Sequence, residues 1–266
     1  SLLAMAEATS ITKAKPLFLK GKSCDENSLD LKHWENVYNE RQFLLYHEGS
    51  GNKLMWDFMN ENYLKNTNKA LSETKVFVPM CGKAEDMWML YELGFTVVGV
   101  ECVDHYIEDF FKEHNLKPKI GKILNDAGEQ VDEYSSPDRR LVLFAGDLLH
   151  LTYDDLPTTK FDIIWDRHAF TVLNLCDRDG YASLTSRLLV KDGVYLMTVM
   201  EFDPRYYGGP PANVGQECLL KSFGDKCAIN EFKRINFKDH PRREKMRQHC
   251  IPDHADEVLY IMKFQS

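Results

Sequence analysis

No apolar run in this 266-residue chain approaches the roughly 18 residues that cross a bilayer, so a membrane-spanning helix is not expected. The phosphate signatures are missing too. Gly82-Lys83 follows an apolar stretch, but Ala84 comes next, and no glycine stands at the upstream distance of a G-x-x-x-x-G-K-[ST] loop. There is likewise no G-x-G-x-x-G after a strand, the pattern that lets backbone approach a pyrophosphate. A ligand on that turn is therefore expected to lack a pyrophosphate, which disfavours a nicotinamide-dependent oxidoreductase. Positive charge is scarce: 33 Lys and Arg against 41 Asp and Glu leave a net charge of −8. A nucleic-acid partner is not expected, because neutralising phosphates requires clustered cations. Arg242, Arg243, Lys245 and Arg247 are interrupted by Glu244 and read as a solvated face. The seven cysteines, at 24, 81, 102, 176, 218, 227 and 250, are odd in number and lack C-x-x-C spacing. They read as free thiols in a reducing, cytoplasmic compartment. His240, His249, Cys250 and His254 lie close together without the tight pairs of a zinc site, and no metal is expected there.

What is present suits one domain. A hydrophobic fraction of 44% over this length can bury a sizeable core. The expected organisation is a flexible N-terminal tail over 1–27 and a single domain over 28–266. Residues 28–47 carry Leu31, Trp34, Val37, Tyr38 and Arg41 at three- and four-residue spacings, which predicts a helix with one aromatic face. A second amphipathic helix is expected over 52–65. From there the chain alternates: strand 76–79, helix 84–93, strand 96–101, helix 104–115, an irregular stretch 117–140, strand 141–144, strand 161–165, helix 179–190 and strand 193–200. A Gly/Pro loop over 203–215, a short helix over 217–223 and two closing strands, 229–237 and 257–264, complete the chain. Such alternation predicts a doubly wound, largely parallel sheet with ligands beyond the carboxyl ends of its strands.

The candidate site residues sit at those strand ends. Glu101, 19 residues after Gly82, closes the second strand, where a carboxylate accepts both ribose hydroxyls; a capping carboxylate is the plainer alternative. Asp147 follows the strand ending at Phe144 and could accept an exocyclic adenine amine, with the Leu148 backbone serving a ring nitrogen; an Asp in an ordinary turn is the alternative. The run "FDIIWDRHAF" ends an apolar strand in Asp166 and Arg167. An arginine there can hold an anion but cannot act as a base, whereas His168 could shuttle protons or simply be hydrogen-bonded. Adenine and ribose without pyrophosphate suggest S-adenosylmethionine as cofactor. The Cys81-Gly82 turn leaves room for its amino-acid end, facing helix-start amides.

The stretches "VFVPMCGKAEDM", "GFTVVGVE", "KFDIIWDRHAF", "DRDGYASLTSRLL" and "FDPRYYGGPP" resemble, in order and across most of 30–264, the thiopurine S-methyltransferase family. The resemblance implies a Rossmann-like class I methyltransferase fold, α/β, with a seven-stranded sheet whose last strand is antiparallel, and an N-terminal helical lid. It implies S-adenosyl-L-methionine as cofactor, S-adenosyl-L-homocysteine as product and a small-molecule thiol or thione as partner, handled by a monomer. Residue by residue, it implies that Trp34 covers the cofactor, with Tyr38 at a second aromatic position. Met80 packs near the cofactor, Glu101 binds ribose, and Asp147 and Leu148 lie at the adenine side. Arg167 stands near cofactor and acceptor, and Tyr46 stands beside the acceptor. Two positions depart from the family pattern: His168 where a small residue is usual, and Ala212 where an aromatic usually follows Gly-Pro-Pro. Both face the acceptor, so they bear on which acceptor is used. A non-catalytic module that keeps the cofactor fold around a decayed acceptor site is the alternative reading.

Overall fold

The structure, a computed structural model, describes residues 31–40, 49–125, 128, 130–151, 156, 160–205, 209–224, 227–244 and 254–264. The tail over 1–27 lies outside them. The aromatic helix is α1, Leu31–Asn39, and the rest of that predicted helix, including Arg41 and Tyr46, is outside the described residues. Asn52 caps α2, Lys53–Phe58, its side chain accepting from the Met55 N–H. The helix passes through a π-helical segment, Met59–Tyr63, into α3, Leu64–Asn66. Then come β1 (Lys75–Pro79), α4 (Glu85–Glu92), β2 (Thr96–Glu101) and α5 (Asp104–Glu113). Next are β3 (Lys119–Leu124), β4 (Gln130–Ser135), β5 (Leu141–Ala145) and β6 (Phe161–Arg167). The chain closes with α6 (Ala169–Val172), α7 (Arg178–Leu188), β7 (Leu189–Glu201), α8 (Gln216–Phe223), β8 (Cys227–Asn236) and β9 (Asp256–Phe264).

These strands form one sheet in the order β3-β4-β5-β2-β1-β6-β7-β9-β8. β5, β2, β1, β6 and β7 run parallel. They need a cover on both faces, because their apolar runs leave no side for water. Two clusters of buried side chains supply it. One contains Phe77, Val98, Phe144, Ile164 and Met197 with Phe170 and Tyr181; the other contains Val76, Val97, Leu143, Trp165 and Leu196 with Leu54, Met87 and Ile107. Neighbours along each strand fall in opposite clusters, as the pleat requires. β9 inserts antiparallel between β7 and β8. The seven-stranded core therefore stands with its last strand antiparallel.

Two readings of the sequence are corrected. The stretch 117–140 is not irregular: β3 and β4 form a hairpin that pairs antiparallel and joins β5, widening the sheet to nine strands. Its residues alternate poorly because β3 lies at the sheet edge, with Ile120 and Leu124 exposed. The cysteines are also not all free. Cys81, Cys102, Cys218 and Cys227 are free, but Cys176 is disulfide-bonded, with its partner outside the described residues. Cysteine usage therefore loses its force as a sign of a reducing compartment. No described helix is long and apolar enough to cross a membrane.

Candidate active site

The parallel strands bring four chain segments to one rim. At the end of β1 the chain turns sharply, with Met80 at φ 45° and Gly82 at φ 52°. The Cys81 N–H donates to the Val100 carbonyl (2.9 Å) and the Ala84 N–H to the Cys81 carbonyl (3.1 Å), which closes the turn into α4. The positive φ favours glycine at 82. No atom lies within 4 Å of where a Cβ would stand, so the backbone there faces open space. Met80 packs at the margin of the core. Gly99, one strand over, is needed for a different reason: a Cβ would stand 2.8 Å from both Cys81 Sγ and Leu143 Cδ2.

Glu101, at the tip of β2, is buried. Its Oε2 accepts the Gly82 N–H (2.8 Å), and its Oε1 accepts the Val103 N–H (2.9 Å) and the Cys102 thiol (3.4 Å). Burial pushes this carboxyl up, and the amides of Val103 and Gly82 pull it down without cancelling that. Oε2 carries one hydrogen bond, from the Gly82 N–H, and a carboxylate oxygen has two lone pairs, so it can also accept from a ligand hydroxyl. Beyond β5, the Gly146 N–H donates to the Glu101 carbonyl (2.8 Å), which ties the two strand ends together. Asp147 caps a 3-10 turn over Leu148–His150, its Oδ1 accepting the Leu149 N–H (2.9 Å). The Leu148 side chain is buried beneath it. A buried carboxylate, an open glycine turn and a capped turn on adjacent strands suit a nucleoside without a pyrophosphate, so S-adenosylmethionine fits.

β6 ends two strands from β2, roughly 10 Å away at ordinary strand spacing. Asp166 points inward and is buried, accepting from the hydroxyls of Tyr181 (2.6 Å) and Tyr195 (3.3 Å) and from the Phe170 N–H (3.2 Å). Burial raises its carboxyl to about 6, against the pull of the Tyr181 hydroxyl and the backbone amides. The alternating strand turns the next side chain, Arg167, the other way, and it is half-buried at the rim. His168 follows at φ 62°, ψ 9°. Its Nε2 lies 2.8 Å from Glu257 Oε1. Ala212 is brought to the same strand end, its N–H donating to the Thr171 carbonyl at 2.8 Å.

The lid residues are placed unequally. Tyr38 docks on α5, donating to Asp109 Oδ2 (2.9 Å), stacking on His105 (centroids 5.5 Å) and meeting Tyr106 edge-on (4.9 Å). Burial and then the Asp109 contact push its phenol up to about 12. Tyr38 therefore anchors α1 to the helix that follows Glu101, with its hydroxyl engaged by protein. Trp34 is half-buried and edge-on to His33 (5.0 Å). Tyr46 lies outside the described residues.

Sequence reasoning missed the polar cluster behind Arg167. Glu257, near the start of β9, is buried and accepts from Asn52 Nδ2 (2.9 Å), His168 Nε2 and His240 Nε2 (2.8 Å). Burial pushes its carboxyl up, but the bonds from His168 and His240 and the nearby charge of Arg242 outweigh this and hold it well below the ordinary value. His240, weighed above with a metal-like group, is committed here instead. Its Nδ1 accepts the Arg242 N–H (3.1 Å), while His249 and Cys250 are outside the described residues. With Asn52 and Glu257 205 positions apart, no local pattern could have joined them.

The family model described as thiopurine S-methyltransferase (TPMT) matches residues 29–262. A probable thiopurine S-methyltransferase of Danio rerio is 31% identical over 237 residues, covering 88% of this chain and 94% of the relative. The thiopurine S-methyltransferase of Mus spretus is 33% identical over 234 residues, covering 88% and 91%. Among solved structures, the MccD protein superposes with a TM-score of 0.52 at 10% identity, covering 80% of this chain and 97% of its own, a likeness of fold alone.

Proposed function

Because this chain belongs to the thiopurine S-methyltransferase family, and so is an S-adenosylmethionine-dependent S-methyltransferase, we propose that its acceptor is the sulfur of a small thiol or thione held beside Arg167. The observation that carries this reading is the position of a half-buried guanidinium at the tip of β6, two strands from the buried Glu101 carboxylate. The cofactor supplies an electrophilic methyl group on a sulfonium. The chain's own task is to align a nucleophile with that group and exclude water, and alignment alone can contribute several kcal/mol of the barrier. Glu101 would accept from a ribose hydroxyl, Gly82 leaves space at the first turn, and Asp147 and Leu148 would border the adenine side. Met80 would pack beside the cofactor and Trp34 would cover it, with Tyr38 fixing that helix to α5, and Tyr46 is the residue assigned to the acceptor. The Arg167 guanidinium holds an ionised sulfur. Asp166, anchored by Tyr181 and Tyr195, sets the strand end from which Arg167 projects.

The test pairs calorimetry of S-adenosylmethionine binding with methyl transfer to a panel of ionised and neutral sulfur acceptors. Arg167→Met is expected to keep most cofactor affinity and to lose kcat/KM most for acceptors ionised at assay pH, because charge stabilisation is what it removes. Equal losses for both classes would remove the anion-holding role. A wild type that binds cofactor and methylates nitrogen or oxygen acceptors but no sulfur would overturn the acceptor assignment.

A further inference from the structure

We propose that His168, backed by Glu257, is the proton acceptor for thiols that reach this enzyme protonated, through the lone pair on its Nδ1. The inference rests on the sulfur-acceptor reading and extends it to a substrate class that Arg167 cannot serve. An aliphatic thiol, with an ordinary pKa of about 8.5, is only a few per cent ionised at neutral pH. An arginine can hold its thiolate but cannot generate it.

The hydrogen bonds fix which ring nitrogen is available. Glu257 accepts from Asn52 Nδ2 on Oε1 and from His240 Nε2 on Oε2, so it stands as an acceptor in this cluster, and the His168 nitrogen facing its Oε1 at 2.8 Å is the protonated one. Neutral His168 therefore carries its lone pair on Nδ1. That atom is buried and meets no hydrogen-bond partner among the described residues. A buried polar atom left unpaired costs roughly 1 to 3 kcal/mol, and His168 also occupies a left-handed backbone conformation that glycine would adopt freely. Two unfavourable features at one residue, directly after Arg167, point to a use for the ring there. The surroundings support the protonated product of such a step. Glu257 on β9 faces the ring, Asp166 on β6 adds negative charge, and His240 and Arg242 engage the far side of Glu257. His240 donates through Nε2 because its Nδ1 already accepts the Arg242 N–H, so it keeps Glu257 oriented without competing for the proton. A carboxylate behind an imidazole is the pairing that activates weak nucleophiles elsewhere.

The step balances. The acceptor S–H bond breaks toward Nδ1 and its electron pair stays on sulfur. That sulfur bonds the methyl carbon while the old carbon–sulfur pair returns to the cofactor's sulfur. The imidazolium, held by Glu257, then gives its proton to water once the product leaves and the site opens. No further reactant is needed.

Two measurements test this. In the unliganded protein, nitrogen-15 NMR of the imidazoles above the histidine titration range is expected to show His168 protonated at Nε2 and bare at Nδ1; the opposite tautomer overturns the proposal. Kinetically, His168→Gly suits the left-handed backbone and leaves Asn52 and His240 on Glu257. The ratio of kcat/KM for an aliphatic thiol to that for an electron-poor, fully ionised aromatic thiol is expected to fall about 100-fold in the variant, the lower range for general base catalysis. Added imidazole should restore part of it. An unchanged ratio, with or without a common loss in both, would make His168 only a support for the strand end. Failure of the wild type on both thiols would overturn the sulfur-acceptor reading together with this one, whereas an unchanged ratio in an active enzyme overturns this one alone.

Discussion

Glu101 shows how one carboxylate connects backbone geometry to ligand choice. It holds the Gly82 turn through a 2.8 Å bond and is the buried acceptor that a ribose diol would meet. Hydrogen bonds to a charged acceptor contribute roughly 1.5 to 3 kcal/mol each, so Glu101→Ala is expected to weaken S-adenosylmethionine binding at least tenfold by calorimetry; a loss within threefold would mean another group binds the ribose. Because burial raises this carboxyl, the protonated form gains as pH falls through the raised value, and cofactor affinity should drop over the same window. Glu257 behaves oppositely. Its folded value lies well below the ordinary 4.5, so its contribution to stability is complete above about 4.5 and is lost as pH falls toward the folded value. Glu257→Gln should destabilise the protein by about 2 kcal/mol in urea unfolding at pH 7. The gap to wild type should narrow at pH 3, and a gap independent of pH would deny the carboxylate its charged role.

At the scale of elements, α1 and the β3–β4 hairpin show two ways a sequence pattern can mislead. The aromatic face of α1 suggests cofactor contact, yet Tyr38 uses its hydroxyl on Asp109 and its ring on His105 and Tyr106, so part of that face is an anchor. An anchored helix can still close further, since lids order on binding. Hydrogen exchange over 31–39 is therefore expected to slow on adding cofactor, and unchanged protection would make α1 an ordinary packing helix. The hairpin went unread for the opposite reason. In "KIGKIL" the exposed Ile120 and Leu124 share the strand with Lys119 and Lys122, so apolar residues do not mark a buried side. Pairing with β5 through Asp132↔Ala145 to Ser135↔Val142, and not hydrophobic alternation, holds it in place. β1, β2, β5 and β6 were legible because burial on both faces demands continuous apolar runs.

The proposed acceptor side is assembled from the whole molecule: the strand end at Arg167 and His168, the loop carrying Ala212, and β9 carrying Glu257. Ala212 joins through one backbone bond to Thr171, and it carries a methyl at the position where the family usually has an aromatic ring. Ala212→Phe is expected to lower kcat/KM for a bicyclic thiol at least tenfold while sparing a small one; indifference to size would put the loop outside the pocket. The sequence by itself determined the alternating architecture, the ends of the parallel strands and the residues on them, since these depend on local runs, glycine turns and spacing within a few dozen residues. It could not reveal that His168, Glu257, His240 and Asn52 form one cluster, that Cys176 is disulfide-bonded, or that Tyr38 faces Asp109. Those contacts join segments up to 205 residues apart, and only the packing of elements such as β9 beside β7, with α2 against β8 and β9, decides which side chains meet. A buried carboxylate takes as partners whatever donors the fold delivers to it, and that delivery is a property of the tertiary structure.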